Sequence, residues 1–373
     1  MRVLVVGNGF DLAHGLPTTY TDCLNFLRAL QSVTGILNDN KEFYFEAINK
    51  NSKLLKLEIK EYLKKQCGQI LDDSRLVELK ELVKNNVWLE YFLIQKKIGK
   101  GWIDFETEIK MALMKLNKPS DSSVLKYKIL NDSGLKVEVP IHITGDECYR
   151  MIIEALYKEL KNFTRCLELY LCICMDVYAC KIDTIKEDFL HDEKRIDKVL
   201  SFNYTDTYSR LYNKGPISRL YNKEPTDFCY IHGKADQERR VQGNTMVLGI
   251  DDYLSEEEQR KDLDLVAFKK YYQRIFNQTD YNYVKWFERD EDRELIIYGH
   301  SLDVTDGDVL RKLLLAPRTK TRIYYHDQIA NAKQIENLIR VLGPDDLNKL
   351  ARGEGGKGRS IEFAKTKQGD QTN

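Results

Sequence analysis

The chain has 373 residues, of which 42% are hydrophobic and 31% are charged, a balance typical of a globular protein with a sizeable core. Its 58 basic and 58 acidic residues cancel, so net charge gives no reason to expect non-specific nucleic-acid binding. The sequence contains no Cys-x-x-Cys pair and no closely spaced histidines, which argues against a structural zinc site.

An apolar run at residues 2–6 opens the chain and is followed by a turn with two glycines. A continuous apolar run is typical of a strand that is buried on both faces of a parallel sheet. Glycine lets the backbone turn tightly and lets a ligand come close, and the amino terminus of a following helix favours an anion such as phosphate. We therefore take Gly7, Asn8, Gly9 and Phe10 as candidate phosphate-binding residues, with a turn that binds no ligand as the alternative.

Helical periodicity dominates the next part of the chain. Lysine, glutamate and leucine recur at helical intervals over residues 41–97, and Asp104 is placed to cap another helix. A long helix is predicted from Glu147 to about Phe189, with one apolar stripe. This pattern predicts a mainly helical insertion, because it lacks the regular alternation of strands and helices.

Short apolar strands follow residue 194, and each ends at or near Asn, His or Gly. The predicted strands lie at residues 199–204, 228–233, 246–250, 294–301 and 322–326. Ligands bind at the carboxyl ends of the strands in open α/β sheets. These endings, together with Gly7, therefore predict one shared crevice.

The sequence thus divides into a discontinuous core, an insertion and a tail. Residues 1–40 and 195–350 are predicted to form a nucleotide-binding α/β core, and residues 41–194 are predicted to form a mainly helical insertion. A polar, glycine-rich segment begins after Arg352, so residues 351–373 are predicted to be a disordered tail.

The sequence also predicts a compartment. The eight cysteines show no paired spacing, which suits a reducing environment. The apolar start is too short for a signal peptide, and the most apolar stretch, residues 166–180, is too short to span a membrane. We therefore expect a cytoplasmic protein without a membrane partner and without a strong nucleic-acid signal.

Four blocks of sequence occur in a fixed order along the chain. They read GNGFDLAHGLPT at residues 7–18, SFNYTDT at residues 201–207, IHGK at residues 231–234 and YGHSLD at residues 298–303. In sequence and in order, these blocks resemble the bacterial abortive-infection AbiH family. The resemblance implies a role in bacteriophage defence, but it implies no particular reaction because the family name describes a phenotype.

The blocks also have a more distant resemblance to sirtuin-like NAD-binding domains. The corresponding pieces are Gly7-Asn8-Gly9, Gly15-Leu16-Pro17, Asn203, His232-Gly233 and Gly299-His300-Ser301. Asn8 departs from the pattern, since those domains carry a small residue there. This resemblance implies a Rossmann-like, sirtuin-like α/β fold with a mostly parallel sheet, a large α-helical insertion, and NAD bound at the strand ends.

His232 and Asn203 are the candidate catalytic pair. Histidine has an unperturbed pKa suited to a general base near neutral pH, and the neutral amide of Asn203 can position a ribose hydroxyl or a water. The candidate ligand-binding residues are Gly7, Asn8, Gly9, Phe10, Asp11, His14, Gly233, Gly299, His300 and Ser301. The alternative for the histidines is a buried structural role, and the alternative for Asn203 and Asp11 is helix capping.

Three functions stay open on the sequence alone. The leading hypothesis is a phage-defence enzyme that binds and hydrolyses NAD or a related nucleotide, as an NAD glycohydrolase does. One alternative is a metal-dependent nuclease or hydrolase with Asp303, Asp306, His300 and His232 as ligands. No spaced ligand motif predicts such a metal, and Asp303 and Asp306 more simply cap the helix that follows.

The other alternative is a non-catalytic sensor that binds a nucleotide and acts through partners. All three hypotheses leave the phage-derived trigger unidentified and leave homo-oligomerisation open.

Overall fold

The structure is a computed structural model of the chain. It describes residues 1–34, 54–67, 73–99, 103–116, 127–129, 135–138, 145–178, 195–213, 227–239, 241–250, 264–353 and 358–367. In chain order the strands are β1 (Arg2–Val6), β2 (Tyr127–Ile129), β3 (Lys136–Glu138), β4 (Lys198–Ser201), β5 (Asp227–Tyr230), β6 (Arg293–Tyr298), β7 (Thr319–Tyr325) and β8 (Ile361–Lys365).

Helices account for most of the remaining described residues. The α-helices are α1 (Asn8–Ala13), α2 (Tyr20–Thr34), α3 (Leu57–Cys67), α4 (Ser74–Leu82), α5 (Val87–Ile98), α6 (Phe105–Met114), α7 (Gly145–Tyr178), α8 (Lys270–Phe276), α9 (Tyr283–Glu288), α10 (Gly307–Leu314), α11 (Gln328–Leu342) and α12 (Pro344–Arg352). Shorter helical turns are a π-helix at Ser209–Asn213 and 3₁₀ turns at Val241–Gly243, Val266–Phe268 and Val304–Asp306. Within the described ranges, no helix is both long enough and apolar enough to cross a membrane.

The chain divides into two compact units. Unit 1 comprises Met1–Leu16, Ala179–Lys234 and Thr279–Asn373, and unit 2 comprises Pro17–Tyr178 and Ala235–Gln278. The structure therefore places α2 and the segment Ala235–Gln278 in unit 2, whereas the sequence had assigned them to the core. Residues 179–194, which include the end of the predicted long helix, lie outside the described residues.

Unit 1 is built on one six-stranded parallel sheet in the order β5-β4-β1-β6-β7-β8. The chain builds outward from β1 through β4 to β5, returns to β6 on the other side of β1, and continues through β7 to β8. This strand order is that of the doubly wound Rossmann fold, with its switch point between β1 and β6. The predicted α/β, Rossmann-like, mostly parallel sheet is therefore confirmed.

Alternate residues of the central strands pack on opposite faces of this sheet, as the two-residue period of a strand requires. Val3 and Val5 of β1 belong to a core cluster with α10, α11 and α12. Leu4 and Val6 belong to a second cluster with Phe10 and the π-helical turn. All five residues of β1 are buried, which explains why the sequence reads as a continuous apolar run.

The edge strand β8 corrects the prediction of a disordered tail. Ile361 pairs with Thr321 of β7, and the isoleucine side chain is only 2% exposed. Ile361 and Phe363, separated by Glu362, both pack against the core of unit 1. The strand pattern consists of only two large apolar residues between polar segments. The polar composition of the surrounding tail therefore outweighed it in the prediction.

Unit 2 is mainly helical around the long helix α7. Trp88 of α5 is fully buried and donates its indole N–H to the carbonyl of Leu156 on α7, at 2.8 Å. Beside it, Phe92 stacks on Phe105 of α6 with 4.5 Å between ring centroids, and Phe163 of α7 packs against both rings. β2 and β3 form a separate antiparallel pair. These contacts account for the apolar residues at helical spacing in this part of the sequence.

Residues 246–250 do not form the predicted strand. Their backbone carbonyls accept hydrogen bonds from side-chain amides of α8 and its C-cap residue. Gln273 donates to Leu248 at 3.1 Å, and Asn277 donates to Met246 at 3.1 Å. Only Ile250 makes a bridge of the strand type, with Lys269. The apolar run is buried in unit 2, and its hydrogen bonds go to a helix rather than to a sheet.

Replacing Ile361 tests whether β8 is part of the folded core. We expect Ile361→Ala to lower the free energy of unfolding by about 2–5 kcal/mol, because a buried isoleucine loses its contacts and leaves a cavity. Urea denaturation of the full chain measures the change. Lys365→Ala, an exposed change in the same strand, is the control and should have little effect. Equal stability of the two variants would mean that the tail is disordered, as the sequence suggested.

Candidate functional site

The loops that carry the four sequence blocks follow β1, β4, β5 and β6, which are consecutive in the order β5-β4-β1-β6. Because these strands are parallel, their carboxyl ends meet at one edge of the sheet. We call this the carboxyl edge. The switch point between β1 and β6 lies at the same edge, which is where ligands bind in open α/β sheets.

The two glycine turns at the switch point are in direct backbone contact. Gly9 donates its N–H to the carbonyl of Gly299 at 2.8 Å, and Gly7 donates to Tyr298 at 3.2 Å. A Cβ atom on Gly7 or Gly9 would lie 2.7 Å from backbone atoms of residues 299 and 300. Gly299 itself has φ +69°, and its Cβ would lie 2.1 Å from the nitrogen of Phe10. Only glycine allows this approach.

This contact corrects the predicted role of the first turn. The N–H groups of Gly7, Gly9 and Phe10 all donate to carbonyls within the protein, the last to Gly7 at 2.8 Å. These amides hold the two turns together, so the geometry does not support the prediction that they bind phosphate. Asn8 is exposed at the start of α1.

Asn203 ties the loop after β4 to the first turn. Its side chain is 7% exposed, and its amide nitrogen donates to the carbonyl of Gly7 at 3.0 Å. The Asn203 side chain also hydrogen-bonds to Asp11, which favours the charged form of that carboxylate. Asn203 therefore positions the turn after β1 and the first helix, and it does not act as a helix cap.

Asp11 is a buried carboxylate at the carboxyl edge. It is 1% exposed, and its Oδ2 accepts a 2.5 Å hydrogen bond from the hydroxyl of Thr205. Its Oδ1 makes no hydrogen bond to any described residue, and Asp11 lines a cavity of about 10 Å³, room for about one water molecule. Burial raises the pKa of Asp11 to about 6, against the hydrogen bonds from Thr205, Thr207 and Asn203, which lower it.

His232 and His300 converge on Asp306. The Nε2 of His232 lies 2.9 Å from Oδ1 of Asp306, and the Nε2 of His300 lies 3.6 Å from Oδ2. Both histidines are 4% exposed, and the ring of Phe202 lies 5.7 Å and 4.3 Å from their ring centroids. The backbone N–H of Leu302 donates to Nδ1 of His300 at 2.8 Å, so a neutral His300 carries its proton on Nε2.

The metal-dependent alternative grouped Asp306 with His232 and His300 as ligands, but sequence reasoning did not predict that Asp306 pairs directly with the His232 imidazole. Asp306 occupies the N-cap position of α10, but its side chain makes no capping hydrogen bond and instead meets His232. Asp303 does cap, but it caps the 3₁₀ turn Val304–Asp306 instead of the predicted α-helix, since it accepts from the N–H of Thr305 at 3.1 Å. The sequence offers two aspartates with equal capping potential, and only the fold distinguishes them.

The other predicted site residues lie outside the pair formed by His232 and Asp306. His14 is 6% exposed; its Nδ1 lies 2.7 Å from the carbonyl of Phe10, and its Nε2 lies 2.9 Å from the hydroxyl of Tyr212. The Nδ1 contact lies within the first helical segment, and the Nε2 contact holds α1 against the π-helical turn. Both contacts indicate a structural role. Gly233 has φ +76° in the turn after β5. Ser301 is exposed, and its carbonyl accepts from Asn337 at 2.9 Å.

The four loops are thus linked by contacts that can be followed one after another. Gly7 contacts the turn at Gly299 and accepts from Asn203, and His300, which follows Gly299, shares Asp306 with His232. The four loops are therefore in contact, as a buried polar layer, but the cavity that Asp11 and Asn203 line includes neither His232 nor Gly299, so the single shared crevice stays a prediction. Among the described residues, no group of three or more His, Cys, Asp or Glu side chains is arranged to hold a metal ion.

The match to known families agrees with these blocks. The model of the family described as bacteriophage abortive infection AbiH matches residues 3–327. The chain belongs to the AbiH family. The match runs from β1 into the loop after β7, and it includes every candidate residue of the carboxyl edge. Neither a curated protein nor a solved structure matches the chain, and the sirtuin-like resemblance stays a prediction.

Replacing Gly299 tests the contact between the turns. Gly299→Ala should cost about 1–2 kcal/mol from its positive φ and about 1–3 kcal/mol more from the collision with the first turn. Gly15→Ala is the matched control, because Gly15 has φ +79° but open space around its Cβ position. Urea denaturation compares the two variants. Equal losses of stability would show that the turns do not constrain each other.

Asp11 predicts a pH dependence of stability. Because the folded pKa of about 6 lies above the ordinary value of 3.8, the folded state holds the proton more tightly than the unfolded state. The free energy of unfolding should therefore fall as pH rises from well below 4 to well above 6, by about 3 kcal/mol in total from this group. Asp11→Asn should remove that fall in urea denaturation across this range.

Asp290→Asn removes an 85% exposed carboxylate and is the control for this measurement. It should keep the wild-type profile. If the pH profile of unfolding free energy is unchanged in Asp11→Asn, Asp11 is not the carboxylate that causes the pH dependence.

Proposed function

We propose that this AbiH-family chain is a phage-defence enzyme that binds NAD or a related nucleotide at the carboxyl edge and hydrolyses it, with His232 as the general base. NAD is the substrate, and the cytoplasm of an infected bacterial cell is the compartment where the enzyme acts. The observation that carries the proposal is the pair of His232 and Asp306, 2.9 Å apart, at the end of the sheet where ligands bind.

The pair supports general-base chemistry because a carboxylate fixes the orientation and tautomer of an imidazole. With Asp306 accepting from Nε2–H, the neutral ring carries its lone pair on Nδ1. In the proposed reaction Nδ1 takes a proton from the attacking water. The resulting imidazolium is stabilised by Asp306, which stays ionised.

Charge at this edge supports the choice of reaction. Hydrolysis of the nicotinamide–ribose bond builds positive charge on the ribose, and fixed negative charge in a buried site stabilises such a transition state. Asp11 is ionised above pH 6, and Asp306 lies at the same edge. A third acid, Asp206, has a pKa below its ordinary value, because Lys234 and Arg210 outweigh the effect of its burial.

Asn203 takes a positioning role in this proposal. Its amide nitrogen is engaged by Gly7 and its side chain also bonds to Asp11, so it holds the turn and the carboxylate in register. Replacing Asn203 is therefore expected to affect the site indirectly, by displacing both the first turn and Asp11. This differs from the sequence hypothesis, in which the amide contacts ribose or water directly.

The decisive experiment compares histidine variants of the full chain. Purified wild type incubated with NAD should release nicotinamide, and His232→Ala should lower the rate by about 10²–10⁴-fold, the usual contribution of general-base catalysis. Asp306→Asn should lower it at least about tenfold and change the pH profile, because the base loses its fixed tautomer. His326→Ala, which removes a 77% exposed histidine, is the control.

The same variants should be tested in phage-infected cells, since defence enzymes often stay silent until triggered. Cellular NAD should fall in cells with wild type or His326→Ala, and it should stay level with His232→Ala. If His232→Ala still protects against phage and NAD stays constant in every strain, the proposal that the protein is an NAD-hydrolysing enzyme is wrong. Together with stabilisation by nucleotide but no turnover, that result would identify a sensor.

A further inference from the structure

A second cavity lies at the opposite edge of the same sheet. Its volume is about 430 Å³, within the range of pockets that bind small molecules. Lys198 begins β4 and pairs in register with Asp227, which begins β5, and both residues line the cavity. Because the strands are parallel, this is the amino edge, and the cavity is separate from His232 and the glycine turns.

One stripe of α9 and its flanking residues lines this cavity. Asn282, Lys285, Trp286 and Arg289 are spaced i, i+3, i+4 and i+7, which places them on one side of a helix. The opposite side packs inward, where Tyr283 is 1% exposed. The stripe therefore carries an amide, an ammonium, an indole ring and a guanidinium into one cavity.

The two cations of the stripe are available to an anion. Among the residues that the structure describes, neither Lys285 nor Arg289 forms an ion pair, although unit 1 contains many such pairs. Lys198, by contrast, is paired with Asp227 and lies 5.7 Å from the centroid of the Trp286 ring. An unpaired ammonium and guanidinium four residues apart suit a phosphate, which guanidinium groups bind in a bidentate manner.

The remaining groups of the stripe suit a nucleobase. Asn282 stands at the N-cap position of α9 but makes no capping bond, and its side-chain amide bonds to no other residue within the described ranges. An amide offers a donor and an acceptor together, as the edge of a base requires. Trp286 is half-buried, and an indole ring offers a surface on which a planar base stacks. Phe228 adds a second ring to the lining.

We propose that the amino-edge cavity binds a nucleoside monophosphate. The phosphate lies between Lys285 and Arg289, the base packs against Trp286, and Asn282 reads the edge of the base. Glu291, which also lines the cavity, disfavours a more highly charged anion such as a triphosphate. This binding site is independent of the hydrolysis proposed for the carboxyl edge.

Calorimetric titration of the full chain tests the proposal. The probes are the 5′-monophosphates of adenosine, guanosine, cytidine and uridine, the matching nucleosides, and inorganic phosphate. At least one monophosphate should bind at least about tenfold more tightly than its nucleoside and than phosphate, because each of those lacks half of the contacts. Lys285→Ala/Arg289→Ala should weaken that binding at least about tenfold.

The control removes the same two charges elsewhere in unit 1. Lys333→Ala/Arg340→Ala on α11 deletes one exposed lysine and one exposed arginine, and it should bind the monophosphate as wild type does. His232→Ala should also bind normally, which separates this site from the carboxyl edge. Asn282→Ala should reduce the preference among the four bases.

Three results would overturn the proposal. The first is that no monophosphate binds more tightly than inorganic phosphate, which would leave a simple anion site. The second is an equal loss in the α11 control, which would indicate a general effect of charge. The third is a loss of binding in His232→Ala, which would place the nucleotide at the carboxyl edge.

Discussion

The glycine turns after β1 and β6 are in direct backbone contact at the carboxyl edge, and each restricts the conformation of the other. The hydrogen bond from Gly9 to Gly299 is 2.8 Å long, and a side chain on either glycine would collide with the opposite turn. Because β1 and β6 are neighbours in the sheet, this contact lies at the switch point of the fold. It fixes the carbonyl of Gly7, to which Asn203 bonds, and it sets the start of the segment that carries His300.

The same contact determines which groups are left for chemistry. A glycine turn after the first strand of such a fold usually offers its amides to phosphate. Here the amides of Gly7, Gly9 and Phe10 bind the protein instead, so reactivity at this edge rests on side chains. The main candidates are the imidazole of His232, held by Asp306, and the buried carboxylate of Asp11, whose pKa is raised to about 6.

Sequence patterns predicted the parallel sheet because its central strands are buried on both faces and read as apolar runs. They also predicted the convergence of the four loops, since parallel strands end at a common edge. They did not predict β8, whose short alternation is hidden by polar neighbours, or the partners of residues 246–250, whose carbonyls bond to side chains of α8. The metal-dependent alternative placed Asp306 in one ligand set with His232, but the direct pairing of the two side chains was not predicted, because they lie 74 residues apart in the chain.

The two edges of the sheet differ in charge, and this difference bears on which chemical group each edge favours in its own ligand. At the carboxyl edge Asp206 already engages Lys234 and Arg210, while Asp11 is buried and Asp306 lies beside His232 and His300. Buried carboxylates stabilise a cationic ring or a ribose that is gaining positive charge. The amino edge carries Lys285 and Arg289 without ion-pair partners among the described residues. The carboxyl edge therefore favours cleavage of a bond that breaks with positive charge, and the amino edge favours the phosphate of a separate ligand.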